Sequence, residues 1–133
     1  MLADWRSDPL PIHVWAIEHD GVLRLVDTGE TAAARNVPFA RMEVTRDEEL
    51  PGAMAAAGLD LADVSEVVLT HGHGDHIDGT IHVRAPVRIN EAELTALLVG
   101  GPHAPVYQEL ARRAIRVTNV AKLHATERPG PRV

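Results

Sequence analysis

A single junction narrows the folds open to this chain. The apolar run Ser65-Glu-Val-Val-Leu-Thr70 passes without a spacer into His71-Gly-His-Gly-Asp-His76. A short apolar run of this kind reads as a buried strand, so the histidines sit in the loop that leaves its carboxyl end. His71 and His73 are two residues apart, and an extended segment points both side chains to the same side. Asp75 and His76 turn the other way if a helix or turn begins there. Gly72 and Gly74 lack Cβ and let the backbone bend tightly. One short loop can therefore offer two ligands to each of two adjacent metal ions. Three imidazoles and a carboxylate are nitrogen and oxygen donors that suit zinc, and also iron or manganese. The competing reading is a structural or tag-like histidine cluster.

The flanking sequence reads as alternating strands and helices. Residues 10–18 form a strand, Asp20-Gly21 a hairpin turn, and 22–26 a second strand ended by Asp27-Thr28-Gly29. Residues 30–46 lack a clean period and read as a loop with a short strand near 39–44. Residues 51–57 read as a helix, with Pro51 at its first position and Gly58 as its C-terminal cap. The acidic run Asp47-Glu48-Glu49 reads as a solvated helix start, and 60–63 as one tight helical turn. Beyond the motif come a strand at 86–89, a helix at 91–98 capped by Asn90 with Glu93, a helix at 105–114 and a strand at 115–118. The tail from Glu127 reads as frayed. The order predicts an α/β fold in which ligand-bearing loops leave the carboxyl ends of strands.

With 133 residues and 45% hydrophobic composition the chain suits one domain, residues 1–133, with a modest core. Net charge is −6 and no basic patch is visible, which argues against nucleic acid as a partner. The absence of cysteine excludes disulfides, thiolate ligands and a cysteine nucleophile. No stretch is long and apolar enough for a membrane span, and the N-terminus lacks a signal-peptide pattern, so the expected location is cytoplasmic. No Gly-x-Ser-x-Gly or Walker-type loop is present.

The segment VVLTHGHGDHIDG resembles the His-x-His-x-Asp-His signature of the metallo-β-lactamase superfamily. WAIEHDGVLRLVDTGE is similar to that family's opening hairpin and Asp-Thr-Gly turn, and PVRINEAEL to the strand and helix after its motif. The phrasing is most similar to lactonase-like and general hydrolase members, over roughly residues 10–98. The resemblance implies an αββα sandwich with metals at one edge of two facing sheets. It implies His71 and His73 on one metal, and Asp75 and His76 on a second. It also implies two zinc ions in the complete fold, with Asp75 taking a proton and Asp27 orienting the site. The implied reaction is cleavage of an ester, a lactone (acyl-homoserine-lactone-like) or a thioester by a metal-bound hydroxide.

The resemblance also implies three later ligands: a third His, a bridging Asp and a final His. No Gly-His-Thr-x-Gly-His type segment is present. Of the later residues, His103, His124 and Glu127 lack the expected contexts. The chain thus reads as a single truncated domain, the N-terminal half of the fold. Three readings stay open: a hydrolase, a non-catalytic fragment, and a half-domain completed by a partner chain. An unpaired sheet face would favour a homodimer. His13 and His19 read as strand or turn residues, His82 as a surface residue or one orienting a ligand, Trp5 and Trp15 as packing residues, and Asp78 as a cap.

Overall fold

The computed structural model describes residues 9–37, 40–100 and 105–118. Its main sheet has five strands in the order β1-β2-β5-β6-β7, made of Trp15–His19, Val22–Val26, Val64–Val68, Val87–Asn90 and Ile115–Val117. β1 and β2 pair antiparallel through the expected hairpin, and β2, β5, β6 and β7 run parallel. Both turn residues have positive φ, Asp20 at 51° and Gly21 at 72°, as a two-residue hairpin turn demands. β3 (Ala33–Val37) and β4 (Ala40–Val44) form a separate antiparallel ribbon. The fold is mixed α/β. The described residues hold one five-stranded sheet and this ribbon.

Among the described residues, four α-helices join these strands: α1 (Leu50–Ala56), α2 (Gly74–Ile77), α3 (Glu91–Gly100) and α4 (Pro105–Arg113). α1 begins beside Pro51, and Gly58, at φ 72°, turns the chain after it. One face of the sheet is buried under the connecting elements. Leu23, Leu25, Val67, Val87 and Ile89 pack there with Leu50 and Met54 of α1, Leu94 of α3 and Leu110 of α4. The other face is open. Trp15 and Ile17 of β1 are 64% and 49% exposed on it. Glu66 of β5 reaches Arg24 of β2 and Arg88 of β6 across that same face.

Some sequence expectations shift. The first strand starts at Trp15 and not at residue 10. Pro11 lacks the N–H a ladder needs, which fits a strand that begins after it. Residues 30–46 hold two strands where one was expected. Asp78 does not cap the turn after the motif: it is the first residue of the 3-10 turn Asp78–His82, and Ile77 precedes it. Trp15 is exposed and is not a core packing residue. Trp5, His103, His124 and Glu127 lie outside the described residues.

Candidate functional site

Because β2, β5 and β6 are adjacent and parallel, their carboxyl ends share one edge of the sheet. The edge therefore collects three sequence-distant segments: the Asp27-Thr-Gly turn, the His-rich loop, and the start of α3. The centre of this assembly is Asp27. Its backbone is left-handed, at φ 64°, a conformation that Asp tolerates better than most residues. Its N–H bonds to the carbonyl of Val68 at 2.9 Å, which pins the turn to the end of β5.

The Asp27 carboxylate is almost fully buried and fully used. Oδ1 accepts the Thr70 N–H at 2.8 Å, and the Thr70 hydroxyl lies 3.0 and 2.9 Å from Oδ1 and Oδ2. Oδ2 also lies 2.8 Å from Nδ1 of His76. An ionised carboxylate only accepts, so His76 must donate from Nδ1. In the neutral ring that leaves the Nε2 lone pair free. Thr70 extends the same logic. Its single proton goes to Asp27, so at 2.9 Å its oxygen accepts from Nδ1 of His71. One buried carboxylate thus sets the tautomers of two imidazoles, one directly and one through a hydroxyl.

The motif backbone is held as firmly. Residues 74–77 form the single-turn helix α2, with His73 at its N-terminal boundary. Thr28, completely buried, donates its N–H and its hydroxyl to the carbonyl of His76, at 2.8 and 3.0 Å. Gly79 donates to the carbonyl of Gly29 at 3.0 Å. A Cβ at Gly79 would stand 2.0 Å from the carbonyl oxygen of Thr28, so only glycine permits this approach. Downstream, Arg113 of α4 donates to the carbonyls of Val83 (2.7 Å) and Thr80 (2.5 Å).

The three motif rings lie near one another, with Asp75 beside His76. The ring of His71 lies 4.6 Å from that of His73 and 4.1 Å from that of His76, centroid to centroid. Asp75 Oδ2 lies 3.6 Å from His76 Nε2. His71, Asp75 and His76 are half-buried and His73 is exposed. Among the described residues, no three His, Asp or Glu side chains converge as a group able to hold one ion.

His82 does not join the cluster. It pairs with Glu49 at 2.8 Å, and the other oxygen of Glu49 accepts the Ala32 N–H at 2.6 Å. The Ala32 bond is the main cause that holds Glu49 below the ordinary carboxylate range, against an opposing effect of burial and with help from His82. Glu49 is therefore a tie between segments and not part of a solvated run. His13 sits 6.2 Å from Trp15, ring to ring, and His19 pairs with Asp20 at the exposed hairpin. Sequence reasoning missed Thr70 and Thr28. It also assigned Glu93 to a helix cap, whereas Asn90 alone caps α3, through the Ala92 N–H, and Glu93 accepts from Gly72. The one available signal was the hydroxyl residue immediately preceding the motif.

Solved structures with the same fold include a quorum-quenching N-acyl homoserine lactone hydrolase (TM-score 0.60, 21% identity, 79% of this chain and 43% of that one). Another is a mutant of B. thuringiensis AiiA with N-decanoyl-L-homoserine bound at its active site (TM-score 0.59, 20% identity, 79% and 46%). A third is an N-acyl homoserine lactone hydrolase with its product N-hexanoyl-L-homoserine at the catalytic metal center (TM-score 0.59, 20% identity, 79% and 46%). This chain spans less than half the length of each. A comparison with curated proteins gave no match. The family model of the metallo-beta-lactamase superfamily matches residues 7–130, nearly the whole chain, and the chain belongs to that superfamily.

Proposed function

We propose that this chain carries the motif-bearing part of a metal-dependent hydrolase whose substrate is a small ester, lactone or thioester. The observation that carries the reading is the double orientation by Asp27. Imidazoles that ligate metals characteristically donate their other ring N–H to a carboxylate or equivalent acceptor, and His71 and His76 both have such a partner. Their Nε2 atoms are left as donors, with His73 and the Asp75 carboxylate beside them. These donors fit a zinc-like ion in kind. In number they supply two per ion, His71 with His73 and Asp75 with His76, short of a closed shell.

A bound pair of divalent ions would make water acidic enough to attack at neutral pH and would polarise a carbonyl. The protein's own part is to fix the donor rings through Asp27 and Thr70, to hold α2 against Thr28, and to offer the half-buried Asp75 carboxylate as a proton acceptor. The lactone class is favoured because the structurally similar hydrolases above act on acyl-homoserine lactones or bind their products. Zinc is the ion we favour, with iron or manganese as substitutes. The exposed apolar residues of the open sheet face, Trp15 and Ile17, support a homodimer covering it. A sedimentation run that finds only monomer would remove that part.

The second reading, a non-catalytic chain or one needing another chain for its remaining ligands, is favoured by the lack of any converging three-donor group among the described residues. Metal content separates the readings. Untagged protein should carry about one or two equivalents of zinc, lost in the His71→Ala, His73→Ala double variant. Hydrolysis of a lactone by that metal-loaded protein would establish the enzyme. Absence of metal from both samples would sink the metal-dependent reading.

A further inference from the structure

The motif loop is gripped from a side the Asp27 network does not reach. α3 follows β6, and β6 runs parallel beside β5, with Val67 opposite Val87 and Val68 opposite Arg88. The start of α3 therefore lies against the loop that leaves β5. Two residues one helical turn apart on α3 meet the same loop residue, Gly72. Glu93 Oε2 accepts the Gly72 N–H at 3.0 Å. Leu97 occupies the space on the other side: a Cβ on Gly72 would stand 2.8 Å from Leu97 Cγ and 3.0 Å from its Cδ1. Positions i and i+4 share one helix face, so a single rigid element acts on the N–H and the α-carbon of one residue. Leu94, 1% exposed, anchors α3 in the core between them.

We infer that α3, through Glu93 and Leu97, positions the His71 and His73 donor pair by moulding the loop at Gly72. This rests on the metal-dependent reading above. The logic is backbone geometry. The Gly72 N–H belongs to the peptide that joins His71 to Gly72, so holding it fixes the plane of that peptide. It is one of the two peptide planes that set the Cα–Cβ direction of His71 relative to that of His73. Without the grip, a glycine between two ligands has the widest conformational freedom of any residue, and two donors that must meet one ion would wander. Glu93 is a positioning residue, since it touches the loop and not the donors. Gly72 is required because Leu97 fills its side-chain space, not because of an unusual φ.

The test uses two readouts on the untagged chain: affinity for zinc, with the visible spectrum of the cobalt(II) form, and hydrogen exchange of the Gly72 amide in metal-free protein. Glu93→Ala should weaken zinc about tenfold, the range for residues that orient ligands, alter the cobalt spectrum, and speed Gly72 exchange about tenfold. Glu93→Gln keeps an acceptor and should recover most of both. Gly72→Ala should weaken zinc, and adding Leu97→Ala should restore it by clearing the clash. Wild-type affinity and exchange in Glu93→Ala would overturn the inference, as would a double variant no better than Gly72→Ala alone. If the wild-type chain binds neither ion, the metal-dependent reading fails, and unchanged Gly72 exchange in Glu93→Ala would overturn the moulding as well. Urea unfolding of each variant checks that it is folded.

Discussion

Two carboxylates in this protein each hold a histidine at 2.8 Å, and they do different work. Asp27 is 6% exposed in its side chain and holds His76, the Thr70 N–H and the Thr70 hydroxyl. Glu49 is 17% exposed and holds His82 and the Ala32 N–H. Asp27 joins the ends of two core strands, and its bonds set the chemical state of groups that face the site. Glu49 ties a helix start to a loop and to the turn after the motif, and no group it touches belongs to the motif. The same residue chemistry thus orients donors where it is buried at a strand end, and fastens a periphery where water still reaches it.

The largest effect that would test this contrast comes from Asp27→Ala. It strands the Thr70 N–H and His76 Nδ1 and places a residue other than Gly, Asn or Asp in the left-handed region. A loss of roughly 3 kcal/mol is expected in urea unfolding, together with loss of metal binding. A loss no greater than that of Glu49→Gln would erase the distinction. Glu49→Gln itself should cost about 1 kcal/mol at neutral pH, with metal content unchanged.

Acidification sharpens the second half of the comparison. Glu49 is held below its ordinary 4.5 in the fold. A depressed carboxylate contributes its stability fully above the unfolded value and loses it as pH falls through the folded one. Wild-type protein should therefore lose more stability than Glu49→Gln when taken from neutral pH to below 4.5, and parallel pH curves would contradict the assignment. The smallest effect is expected for His82→Gln, about 0.5 kcal/mol. A cost above that of Glu49→Gln would mean that His82 matters through packing and not through its contact with Glu49.

Much of this architecture is legible in the chain because local chemistry and tertiary packing agree there. Asp20-Gly21 makes a hairpin, Gly58 ends α1, and the apolar run before His71 is a strand beside two other parallel strands. Legibility fails where the partner is distant. The β3–β4 ribbon stands apart from the main sheet, and its residues, including Arg35, Asn36, Arg41 and Glu43, show little of the alternation that a buried face imposes. Glu93 looks like a capping residue because the Asn-x-x-Glu spacing is right, yet a loop that precedes it by 21 residues claims its carboxylate. The four motif residues are read as a set from one hexapeptide of the sequence. The hydroxyl of Thr70, which passes the influence of Asp27 to His71, could be recognised only once β2 and β5 were known to be neighbours.

The Asp27 lock also has a kinetic side. Its bonds close contacts between residues 43 and 49 apart in sequence, while the motif it governs is a single local hexapeptide. A nascent chain can make the His-rich loop early, but the tautomers and directions of its rings wait for β2 to find β5. Long-range closures of this kind come late and slowly in folding. Competence at the site should therefore appear in step with the global transition, and a refolding experiment that follows ring orientation would watch the parallel sheet assemble.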